Sequence, residues 1–364
     1  MYIIDESLSK RLTSIRFMLI VLVVFIHNNL SEVKFIDSTE IFFIPEYVRI
    51  IRTLISDIIA RSAVPLFFLI SGFLLYAKCP MYLTNLKKKV KSILVPYILW
   101  ILLSVLFFYV AQNISFTKQY FANPGNIIKN FRIIDWVDIF FGKFTQRAPY
   151  PLVYQFWFLR DLFVLNLLFS IIKVIIDKMP LGYFLILILL WINSTNIYIV
   201  SPEALLFFSI GYYIVKYQIS IDSIDSISTK DIVIAYLLFI ILELFFCDNF
   251  ILVHKINIIL GSIFLLKLTK YFIRNNQLYC KLAWLEEYSF FVYAFHEPLL
   301  TVLKKISVKI IPMHDEFLLV QYFLVVILGV TVSLLIGIVI NKVMPKIYSI
   351  LTGERRKRLT TAST

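Results

Sequence analysis

The chain has 364 residues, 60% of them hydrophobic and only 16% charged, with a formal net charge of +13. Soluble globular domains carry about half apolar and about a quarter charged residues. The composition therefore excludes an ordinary soluble enzyme or binding module and points to a protein embedded in a bilayer. The basic residues fall mostly between apolar blocks, and no base-reading or stacking motif accompanies them. Orientation in a membrane, not a nucleic-acid partner, accounts for the charge.

The apolar blocks are continuous, not short and alternating, which favours helices over a β-barrel. In chain order the sequence predicts ten transmembrane helices, at 12–30, 58–77, 93–111, 157–176, 181–195, 202–217, 231–247, 249–268, 288–303 and 317–342. The expected fold class is all-α, a polytopic integral membrane protein forming one domain over 1–364, with a basic tail at about 343–364. Assigning the more basic connections to the inside puts both termini in the cytoplasm. Lys10, Arg11 and Arg16 then flank the start of the first helix, Lys78, Lys87, Lys88, Lys89 and Lys91 follow the second, and Arg355, Arg356, Lys357 and Arg358 lie in the tail.

The first block, "SIRFMLIVLVVFIHNN", lacks a small-residue cleavage site and reads as a retained helix. Arg16 and His27 are almost three whole turns apart, so they share one face, separated by about 16 Å along the axis. Ionisable residues inside membrane helices are costly and are candidates for function by default. The plainer reading is a snorkelling arginine and a buried histidine bonded to a neighbouring helix.

The second helix, "ARSAVPLFFLISGFLLY", carries Arg61 at its expected outer end, level with His27 if the two helices pack antiparallel. Pro65 would bend or end a turn, and Ser71 and Gly72 read as a close helix contact. "NLKKKVKSILVPYILW" sets a lysine cluster before the third helix, either as topological charge or as a landing site for phosphates. The long connection 112–156, with the breaker run Asn123, Pro124 and Gly125, predicts a partly ordered extramembrane cap with amphipathic pieces. In "QFWFLRDLF", Arg160 and Asp161 are adjacent, so they are expected to pair with other helices and not on one face. "EYSFFVYAFHEPLL" places His296 and Glu297 near mid-bilayer, with Pro298 loosening the helical ladder. His254 and His314 read as outer-loop surface residues, and Cys79, Cys247 and Cys280 show neither disulfide pairing nor metal-ligand spacing. No Walker A loop, zinc-protease helix or Rossmann fingerprint occurs.

The arginine, ten residues and a histidine of the first helix resemble membrane-bound acyltransferase family 3, whose members O-acylate cell-surface polysaccharides and related glycans. "RSAVPLFFLISGFLL", the lysine-rich run before "ILVPYILW", "FWFL" and "YSFFVYAFHEPLL" look like further family stretches. They follow the family order and carry the resemblance from residue 11 to about 342. The resemblance implies about ten helices in the cell membrane, in all expectation a bacterial cytoplasmic membrane. It implies a cytoplasmic acyl-CoA donor, usually acetyl-CoA, and a hydroxyl acceptor on a cell-surface glycan or lipid-linked sugar. The family's essential histidine maps to His27 and its partner arginine to Arg16. Relatives often carry arginine where this chain has Lys88 and Lys91; lysine keeps the charge but loses the bidentate fork. No appended esterase-like domain is read in the chain.

Acyl transfer to a hydroxyl needs a base or a covalent acyl carrier, and stabilisation of the developing oxyanion. His27 suits the base, since imidazole titrates near neutrality; a histidine-bound acyl group and direct transfer both fit. Arg61, or alternatively His296, would stabilise negative charge. Arg16, Lys87, Lys88 and Lys91 would hold the phosphates of CoA. A different class of function, a transporter, flippase or export factor for a polysaccharide intermediate, would use Asp161 or Glu297 in a substrate or proton path.

Overall fold

In a computed structural model, described over residues 2–28, 32–34, 39–41, 44–118, 127–142, 150–195, 197, 200–246, 251–310 and 315–354, the apolar blocks become helices. Helix α1 (Glu6–Ile26) starts well before its apolar run because the Asp5 carboxylate caps it, accepting from the Leu8 N–H at 2.7 Å. Two three-residue strands, β1 (Glu32–Lys34) and β2 (Thr39–Ile41), then pair antiparallel, with Val33 opposite Glu40. This small ribbon is the one departure from all-α among the described residues.

Helix α2 (Glu46–Arg52) runs on through a π-helical stretch at Thr53–Ile59 and a 3₁₀ turn at Ala60–Ser62 into α3 (Ala63–Lys78). The second predicted helix therefore begins at Glu46, not near 58. Pro65 follows closely on the π and 3₁₀ stretches, so its missing N–H falls at an irregular step of the continuous helix. Helix α4 (Tyr82–Lys89) likewise continues through a π-helical stretch at Val90–Leu94 into α5 (Val95–Asn113). Then come α6 (Ser115–Lys118), α7 (Ile133–Phe141), α8 (Trp157–Lys178), α9 (Pro180–Ile192), α10 (Pro202–Lys216), α11 (Thr229–Phe246) and α12 (Ile251–Arg274). The chain closes with α13 (Asn276–Glu286), α14 (Ser289–Ile310), α15 (Asp315–Val343) and α16 (Pro345–Leu351).

Every predicted helix falls on an observed one. Among the described residues, four helical runs are long and apolar enough to cross a membrane: Glu46–Lys78, Tyr82–Asn113, Ile251–Arg274 and Phe317–Val343. Helices α9 and α10 have 13 and 15 residues, about 20 Å each and short of the roughly 30 Å hydrocarbon core.

Backbone meets backbone where α3 crosses α10. A Cβ added at Gly72 would lie 2.2 Å from the Phe208 carbonyl oxygen, and one at Gly211 would lie 2.3 Å from the Phe73 nitrogen. The small-residue reading of the Ser71–Gly72 step is met here.

Within the 112–156 connection, residues 119–126 and 143–149 lie outside the described residues, and the described stretch at 127–142 packs on α5. The Ile128 N–H donates to Gln112 Oε1 at 3.0 Å, near the Asn113 end of α5. The Tyr97 hydroxyl, near the other end of α5, donates to the Phe140 carbonyl. Residues 128–141 thus run back alongside α5, and Arg160 Nη1 of α8 then reaches the Phe141 carbonyl at 2.9 Å. Ile133, Trp136 and Phe141 of α7 remain exposed, as apolar side chains facing lipid do. The breaker run at 123–125 and His314 lie outside the described residues, as do Cys247 and the tail arginines.

Arg11 is 2% exposed. Its guanidinium bonds Asp225 at 2.9 and 3.2 Å, Asp222, the Leu266 carbonyl at 3.0 Å and Thr269 Oγ1 at 2.9 Å. The sequence reading counted Arg11 as topological charge. It is instead a clamp fastening α1 to α12 and to the turn at 221–226.

Candidate active site

His27 caps the C-terminal end of α1. That end is held from two sides. Ser56 Oγ donates to the Phe25 carbonyl at 2.6 Å, and Asn28 Nδ2 donates to the Tyr322 carbonyl at 2.8 Å. The imidazole of His296 stacks on that of His27, with centroids 5.4 Å apart and planes 22° from parallel. Tyr154 approaches the same ring edge-on at 4.8 Å. Three distant segments therefore meet: the end of α1, the short turn before α8, and the middle of α14.

Helix α14 supplies two residues because it is kinked between them. Pro298 has no N–H to give and pushes the preceding residue toward extended backbone, and Glu297 has φ −111° and ψ 132°. Both His296 and Glu297 are consequently buried. Glu297 Oε1 accepts from the Tyr154 hydroxyl at 3.1 Å, and Oε2 accepts from Thr301 Oγ1 at 3.0 Å. Gln155 Nε2 donates to the Glu297 carbonyl at 3.4 Å, while the Tyr293 hydroxyl donates to the Gln155 carbonyl at 2.7 Å. His296 Nδ1 lies 2.6 Å from the Tyr293 carbonyl. A carbonyl can only accept, so Nδ1 carries the proton and Nε2 of the neutral ring is left as an acceptor.

Two cations flank His27. Lys304 Nζ reaches the His27 carbonyl at 3.4 Å, and Arg61 lies within electrostatic range of the ring. Arg61 is not at a helix end, as expected from sequence. It lies beyond Ser56 along the long 46–78 helix, on the Arg16 side of His27, with its side chain 46% exposed. Its nearest carboxylate is Asp57 at 3.8 Å, which also pairs with Arg52 at 3.3 Å.

Arg16 lies midway along α1, about three turns before His27, and pairs with Glu286, the last residue of α13, at 2.7 Å. Lys87, Lys88 and Lys91 are exposed on a segment that packs against α8 and α5, whereas α1 packs against α3, α12, α13 and α14. The structure thus brings His27 and His296 together and places Arg61 nearby, but it does not join the lysine run to Arg16. Arg160 and Asp161 do pair with each other, at 3.0 and 3.1 Å, contrary to the helical-face argument. The planar fork of the arginine turns back along its own helix. Asp161 also accepts from the Ser201 N–H at 2.9 Å. His254 bonds Glu243 at 2.8 Å and ties α12 to α11.

Sequence reasoning missed Tyr154, Gln155 and Lys304. The first two lay in the connection read as a cap. Lys304 fell just past the predicted end of its helix, and one more turn would have flagged it as an intramembrane cation.

The fold and site define a multi-pass membrane protein with a buried histidine centre at the joint of three segments. The sequence profile of the acyltransferase domain of family 3 matches residues 10–341. The chain belongs to that family and is an acyltransferase. No curated protein and no solved structure matches it.

Proposed function

We propose that the protein transfers an acyl group from acyl-CoA, with acetyl-CoA the expected donor, to a hydroxyl of a cell-surface or lipid-linked glycan. The observation that carries this reading is His27, which closes the family's arginine–histidine helix and stacks on His296 beside Tyr154. Both termini face the cytoplasm, so the donor enters at the Arg16 end and its thioester extends about 16 Å along α1 to His27. The neutral part of the CoA arm spans that distance, which leaves the phosphates to Arg16. The exposed Lys87, Lys88 and Lys91 serve orientation in this arrangement and at most draw the donor to the surface.

His27 takes the proton of the acceptor hydroxyl as its oxygen attacks the thioester carbonyl, and CoA leaves as the thiol. Lys304 and Arg61 are the cations near enough to offset the oxyanion. His296 is unsuited to that task, because its Nδ1–H is spent on the Tyr293 carbonyl and Nε2 accepts.

The test is acyl transfer by the purified protein in liposomes, supplied with labelled acetyl-CoA and glycan. His27→Ala is expected to lower transfer by at least about 100-fold, the scale of general-base catalysis, with unchanged membrane insertion. Transfer at the wild-type rate by that variant would overturn the assignment.

A further inference from the structure

The polar atoms around His27 that are buried without a hydrogen-bond partner in the protein include His296 Nε2 and Gln155 Oε1. His296 is fully buried and Gln155 is 1% exposed. Both are acceptors, and the bonds on their other sides say so. His296 gives its only proton to the Tyr293 carbonyl. Gln155 turns its amide nitrogen to the Glu297 carbonyl, which fixes Oε1 as the end that is left. The same tyrosine holds both, because the Tyr293 hydroxyl donates to the Gln155 carbonyl. Orphaned buried acceptors are costly to leave unpaired. Two of them near the proposed base call for hydrogen-bond donors from outside the protein.

We propose that Gln155 and His296 each read a further hydroxyl of the acceptor, so that the acceptor is a polyol sugar ring carrying free hydroxyls near the one acylated. The 5.4 Å between the two imidazole centroids is within the reach of one sugar ring. His27 takes the proton of the reacting hydroxyl; one neighbouring hydroxyl donates its single proton to Gln155 Oε1 and another donates to His296 Nε2, and together they set the ring's rotation. This inference rests on the proposed acyl transfer and adds to it a rule for the acceptor.

Such a site rejects an analogue that lacks a read hydroxyl, because a buried acceptor then stays unpaired. The experiment uses the full chain in liposomes with acetyl-CoA and a panel of methyl hexosides, each compared with its monodeoxy forms. For the preferred hexoside, at least one deoxy form other than that lacking the acylated hydroxyl should lose at least about 100-fold in kcat/KM. Gln155→Met and His296→Phe remove the acceptors while keeping side-chain bulk, and in His296→Phe a ring still stacks on His27. Each should shrink the hydroxy-to-deoxy ratio by about tenfold or more. A ratio between two substrates of one variant does not move when a variant merely loses folded protein. Equal use of hydroxy and deoxy forms by the wild type overturns the inference and leaves acyl transfer standing, as does an unchanged ratio in both variants. Absence of CoA release with every hexoside removes the acyl-transfer reading and this inference with it.

Discussion

Arg11 and Arg16 lie on one helix, and their surroundings give them different work. Arg11 is desolvated and spends its donors on two aspartates, a threonine and a carbonyl. Taking away one member of a buried ionic cluster leaves the others uncompensated, so Arg11→Met is expected to destabilise the protein by about 3 kcal/mol. Thermal unfolding in detergent should show this as a lowered midpoint. Arg16 is partly exposed with a single carboxylate partner, and Arg16→Met should cost clearly less than Arg11→Met by the same measurement. Equal losses in the two variants would contradict the division. At this scale the sequence displayed the histidines well, because a titratable residue inside an apolar run stands out. It hid Arg11, whose partners Asp222 and Asp225 are more than two hundred positions away. It hid Tyr154 too, since a tyrosine in a connection carries no signal until the chain folds back.

The crossing of α3 and α10 depends on the absence of side chains. At Gly72 and Gly211 any Cβ meets backbone atoms, which cannot rotate away. Gly211→Val should therefore force the helices apart at a cost of about 1–3 kcal/mol or more, read as loss of folded protein on size exclusion. Gly182→Val offers the control, since a Cβ there has nothing nearer than the Met179 methyl at 3.9 Å. Most helices were legible from apolar runs, and their ends were not, because caps and π-helical joints lie outside the hydropathy signal. The start at Glu46 and the extension to Ile310 are both of this kind. The return of residues 128–141 alongside α5 was illegible for another reason. Helix α7 is short and carries Asp135 and Asp138, so it reads as an amphipathic surface piece until the Tyr97 bond places it.

For the molecule as a whole, the sidedness that the proposed reaction requires can be checked with the protein's own thiols. Cys79 follows α3 and Cys280 lies on α13; both are free and exposed, and both belong to the Arg16 end. In a Cys247→Ser background, a membrane-impermeant maleimide should label Cys79 and Cys280 in inverted vesicles and spare them in intact cells. Labelling in intact cells would reverse the orientation and put the donor on the wrong face. The all-helical class and the family were readable from the chain alone, since both rest on patterns spread over its whole length. The grouping of the cations was not. The lysine run looked like a natural companion to Arg16, yet it packs on α8 and α5.

Tyr293 touches Gln155 through its hydroxyl and His296 through its carbonyl. Tyr293 thus serves as a gauge block between the fold-back before α8 and the bend in α14, alongside the Tyr154–Glu297 and Gln155–Glu297 hydrogen bonds that join the same two parts. A change in either the bend or the fold-back would be passed through that block to the spacing of the two acceptors. In the proposed reaction, the tolerance of the centre for differently shaped acceptors would then depend on that spacing.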